Sequence, residues 1–89
     1  MIPEIITERS LVNGFGFKCV QYHVLYEGNH YIISQARTDI VDLETLVFPC
    51  NEKGECENMI EIVNARGVTI DEVWAKFGLL LLEADHDPI

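Results

Sequence analysis

Phe17-Lys-Cys-Val-Gln-Tyr-His-Val-Leu-Tyr-Glu-Gly-Asn-His-Tyr-Ile-Ile-Ser-Gln-Ala-Arg37 is the stretch whose reading decides the fold. From Phe17 to Glu27 it alternates, with Val20, Tyr22, Val24 and Tyr26 on one side and Cys19, Gln21, His23 and Leu25 on the other. Val and Tyr at period two are a strand signal. Gly28-Asn29 follows, a dipeptide able to take the positive φ values of a two-residue hairpin turn. His30 to Arg37 then returns, so the expected register sets Tyr26 against Tyr31, Val24 against Ile33 and Tyr22 against Gln35. The apolar and aromatic pairs share one face.

Outward from this hairpin, Thr38 to Val41 reads as a bend and Leu43 to Pro49 as a third strand. Pro49 belongs at its end or on an edge, because proline has no backbone donor. Asn51-Glu52-Lys53-Gly54 is a polar turn, and Asn58 to Val63 reads as a fourth strand with Ile60 and Ile62 on one face. Asn64 to Gly67 breaks the pattern. Thr69-Ile70-Asp71-Glu72 then fits a capping box, opening a helix over residues 70–82 whose apolar stripe is Ile70, Val73, Trp74, Phe77 and Leu81. Gly78 costs such a helix about 1 kcal/mol relative to Ala. The tail 83–89 is expected to leave the helix and fray. Ile2, Ile5 and Ile6 make Met1 to Ser10 a candidate short edge strand. The expected fold is α+β: one domain over 1–89, an antiparallel sheet of about four strands in two hairpins, packed by a C-terminal amphipathic helix.

Composition narrows function. The chain has 89 residues and a net charge of −9. Residues 1–38 hold three acids and three bases, so the whole excess lies in 39–89, where twelve acids face Lys53, Arg66 and Lys76. Glu44, Glu52, Glu55, Glu57 and Glu61 are the candidate acidic face for a protein partner with a basic surface. Direct nucleic-acid binding needs cations to meet phosphates, and six Lys and Arg among fifteen acids supply too few. No apolar run nears the roughly 20 residues of a membrane span. Leu79 and Leu82 lie off the helix stripe and are the candidate contact between copies, simplest as a homodimer.

Chemistry is harder to find. Three cysteines without a secretory signal argue for reduced thiols and a cytoplasmic location. Cys50 and Cys56 flank a turn that would let them pair, and that compartment argues against the bond. A zinc set of Cys19, His23, Cys50 and Cys56 fails on geometry. Cys19 and His23 stand about 13 Å apart on one strand, whereas zinc holds its ligands at about 2.0–2.3 Å. His23 and Ser34 come out as cross-strand neighbours, but no acid completes a triad. No catalytic set, metal or cofactor is expected, and the chain reads as a non-enzymatic module.

Residues 42–55, Asp-Leu-Glu-Thr-Leu-Val-Phe-Pro-Cys-Asn-Glu-Lys-Gly-Glu, resemble a segment of small bacteriophage and mobile-element accessory proteins. In that family an acid and a Thr lead into a strand ending Val-Phe, then a polar turn with Gly. After Glu57 the chain departs from the pattern, with Met59-Ile60-Glu61-Ile62 where a Trp-bearing strand belongs, so no functional residue carries over. The resemblance implies a phage-like accessory protein in the cytoplasm of a host cell. Such proteins include inhibitors of host machinery, among them anti-CRISPR proteins that block a basic nucleic-acid channel.

Overall fold

The computed structural model describes residues 2–12, 18–37, 43–57 and 60–85. They form one antiparallel sheet, β1 (Glu4–Val12), β2 (Lys18–Tyr26), β3 (Asn29–Arg37), β4 (Leu43–Cys50) and β5 (Val63–Arg66), followed by the helix α1 (Ile70–Asp85). Strand order equals chain order, so the sheet is a five-stranded meander. The α+β reading holds, with one strand more than the four expected.

The central hairpin turns one residue earlier than expected. Glu27 and Gly28 carry the two positive φ values, 50° and 82°, which a two-residue type I′ turn requires. Asn29 therefore opens β3, and Tyr26 pairs with Asn29, Val24 with Tyr31 and Tyr22 with Ile33. The register has slid by two residues. An even slide leaves every side chain on its predicted face, so the buried set is unchanged.

That face is the core. Val24, Ile33, Val47, Val73 and Phe77 are fully buried, with Tyr26 and Val63 beside them. Phe77 sits between two tyrosines, edge-on to Tyr26 at 5.1 Å and to Tyr31 at 5.5 Å, and Trp74 meets Tyr22 at 5.2 Å. T-shaped contacts of this kind add to the area buried. The core also encloses one polar bridge. Gln35 Nε2 donates to Val68 C=O at 2.9 Å and to buried Thr45 Oγ1 at 3.3 Å, tying the approach to the helix to β3 and β4.

Gly78 now has a reason. A Cβ there would overlap the hydroxyl of Tyr26, so its absence lets α1 lie close on β2. At the helix start, Thr69 Oγ1 accepts from Glu72 N–H and donates to the Glu72 carboxylate, each at 3.3 Å. The carboxylate thus meets the cap hydroxyl. α1 also runs on through Glu83 to Asp85, past the expected end; residues 86–89 lie outside the described set.

Two strands differ from expectation. β1 is a nine-residue edge strand with every residue exposed, and Ile6 is an extra residue where the register shifts between Ile5 and Thr7. Of the fourth expected strand, Asn58 to Val63, the described residues 60–62 are not strand, and only Val63 is. β4 instead pairs with Val63–Arg66, matching Val47 to Val63 and Thr45 to Ala65. Pairing there buries Val63 and half-buries Ala65 under α1, while Ile60 remains 69% exposed. Asn58, Met59 and the bend at 38–41 lie outside the described residues.

Candidate functional site

The sheet has a second face, and the helix does not cover it. Cys19, His23 and Phe48 are nevertheless buried on it. Part of the cover comes from the β4–β5 connection, residues 51–62, which brings Gly54 over His23. A Cβ on Gly54 would stand 3.2 Å from His23 Nδ1, and Gly54 has φ of 82°. Glycine is required there twice, for backbone and for space.

Asn51 organises the turn. Its carbonyl accepts from Gly54 N–H at 3.0 Å, and its own N–H donates to Glu55 C=O at 3.0 Å. Its side-chain oxygen accepts from Lys53 N–H and Glu55 N–H, both at 2.9 Å. The amide nitrogen reaches the Glu55 carboxylate at 3.3 Å. This network fixes the backbone of the turn that carries the exposed Glu52 and Glu55.

The acidic residues divide into two groups. Glu52, Glu55, Glu57 and Glu61 are all exposed on the connection, and among the described residues no ion pair reaches any of them. Glu44 stands apart. It lies near the other end of β4, about 20 Å of strand away, and pairs with Arg66 at 3.4 Å. Leu79 and Leu82 are 53% and 52% exposed on α1. Leu82, with Leu81 and Gly78, borders an open hollow of about 340 Å³ beside Tyr26 and Tyr31.

Beneath the turn lies a pair that the expected register concealed. His23 Nε2 and His30 Nδ1 are 2.9 Å apart, with ring centroids at 5.0 Å. One ring must donate and the other accept, so the pair cannot hold a proton on both nitrogens. Burial, and then the charge of His30, hold the His23 pKa below its ordinary value. Ser34, expected beside His23, instead lies 3.2 Å from Cys19 Sγ, and His23 registers with Ile32. The corrected turn was the missing signal: the two rings share a face in either register, but the slide moves His30 from opposite Glu27 to opposite Leu25, diagonal to His23. Among the described residues no group of three or more His, Cys, Asp or Glu is arranged to hold a metal ion. No described helix is long and apolar enough to cross a membrane.

No family model, curated protein or solved structure matches the chain.

Proposed function

We propose that the chain is a non-enzymatic protein-binding module that docks its acidic β4–β5 connection on a basic surface of a partner. The observation that carries this is the exposure of Glu52, Glu55, Glu57 and Glu61 on one connection, with no cation paired to them among the described residues. The Asn51 network restrains the turn before binding, so less ordering entropy is lost on docking. Glu44 is left out of this surface by its pairing with Arg66. The likeness of residues 42–55 to phage accessory proteins supports a finer reading. In it the partner is a host protein that handles nucleic acid, and the chain inhibits it as an anti-CRISPR protein does.

Capture from host lysate at low salt and at about 0.5 M salt tests this, because added salt screens exposed charges within a few ångström. A nucleic-acid-handling protein should be recovered at low salt, lost at high salt, and lost with Glu52→Gln/Glu55→Gln/Glu57→Gln. Recovery of no such protein, or equal recovery by the triple variant, refutes the reading.

The exposure of Leu79 and Leu82 supports a second reading, self-association through the helix end. Light scattering on the wild type and on Leu79→Lys/Leu82→Lys decides it, and a monomeric wild type removes it.

A further inference from the structure

The hydrogen bonds that close the acidic turn also fix what stands on either side of it. Gly54 N–H to Asn51 C=O and Asn51 N–H to Glu55 C=O, with Gly54 left-handed, define a three-residue hairpin loop. Asn51 and Glu55 are its first bonded pair. One step outward the opposed residues are Cys50 and Cys56. Opposed positions without mutual backbone bonds are the closest in antiparallel structure, with Cα atoms about 4.5 Å apart. Disulfides span Cα separations of about 4.4–6.8 Å. Both thiols are half-buried and unbridged.

Their electrostatics agree with this placement. Burial and the neighbouring Cys56 push the Cys50 thiol up to about 11, and burial pushes Cys56 up as well. The third cysteine is elsewhere: Cys19 is buried on β2 against Ser34. Cys50 lines an open hollow of about 300 Å³ with Pro49, Asn51 and Glu57, which gives a small reagent access.

We infer that Cys50 and Cys56 are a disulfide-forming pair, a covalent clasp across the base of the acidic turn, closed by exchange with a small-molecule disulfide. With oxidised glutathione, the Cys50 thiolate attacks one sulfur and breaks the glutathione S–S bond, releasing one glutathione thiolate. The Cys56 thiolate then attacks Cys50 Sγ, forms the protein disulfide and releases the second glutathione. Two cysteine thiols are oxidised by two electrons and give up two protons, and one glutathione disulfide is reduced to two thiols. Because both thiols are protonated at neutral pH, closure is slow there and quickens with rising pH. The clasp rests on the turn geometry and is independent of any docking partner.

The test uses the full chain, fully reduced, then incubated with oxidised glutathione at about pH 8.5 and quenched in acid. The product should have lost the mass of two hydrogens and keep a single free thiol in denaturant, which peptide mapping places at Cys19. Its Tm should rise by roughly 5–15 °C, as for a short closed loop in a domain of this size. Cys50→Ser and Cys56→Ser should each stop at a mixed disulfide carrying glutathione. A wild type that accumulates glutathione on Cys50 or Cys56, or that links mainly between chains, overturns the inference.

Discussion

The contact between Gly78 and Tyr26 offers the sharpest test of how the helix is seated. Gly78→Ala on a solvent-facing helix position would gain about 1 kcal/mol from propensity alone. Here the new methyl group overlaps the Tyr26 hydroxyl, and the ring has little freedom, since it is buried and edge-packed on Phe77 at 5.1 Å. Overfilling a packed site costs about 1–3 kcal/mol. The expected net effect is a loss of about 1 kcal/mol, or roughly 4–8 °C in Tm for a domain this small. Tyr26→Phe removes the obstructing atom. The nearest ring carbon then stands 3.4 Å from the Cβ position, an ordinary contact. In that background Gly78→Ala should stabilise by up to about 1 kcal/mol. Thermal and urea melts of the four proteins close a double-mutant cycle, with a coupling of about 2 kcal/mol expected. If Gly78→Ala stabilises equally with and without the hydroxyl, the helix is not seated on Tyr26 as described.

Three further outcomes follow from the same contacts. Unfolded histidine takes up a proton below about pH 6.5, whereas buried His23 resists it. The stability tied to His23 is therefore complete above that pH and falls as the pH drops toward the lowered value; denaturant melts should show wild type losing more than His23→Gln in that window. Phe77→Ala removes a fully buried ring and should cost about 3–5 kcal/mol, read as loss of near-UV dichroism from the flanking tyrosines. Thr69→Ala deletes the hydroxyl that accepts from Glu72 N–H and should cost about 1 kcal/mol by chemical denaturation.

How much of this was legible in the residues depended on whether the signal was local. The faces of β2 and β3 came from alternation, and they survived a wrong turn because a slide of two residues preserves parity. The helix stripe and its Thr69 cap were legible for the same reason. The last strand was not. Met59-Ile60-Glu61-Ile62 alternates well, yet β4 selects Val63 and Ala65, which put small side chains beneath α1. That choice is made by packing across the sheet, which no window of sequence contains. The acidic turn was visible, but its seat over His23 was not, because a glycine carries no sign of what it must approach.

A meander with neighbours in chain order has a kinetic consequence. Each strand finds its partner in the segment made just before it, so no long loop need close before a contact is rewarded. The β2–β3 hairpin closes over only two residues and supplies all three tyrosines of the chain, which lie in or against the core. Its closure costs the least loop entropy of the sheet's pairings. β1, made first, waits for β2 before it can pair, and α1, made last, seals what the strands have already aligned.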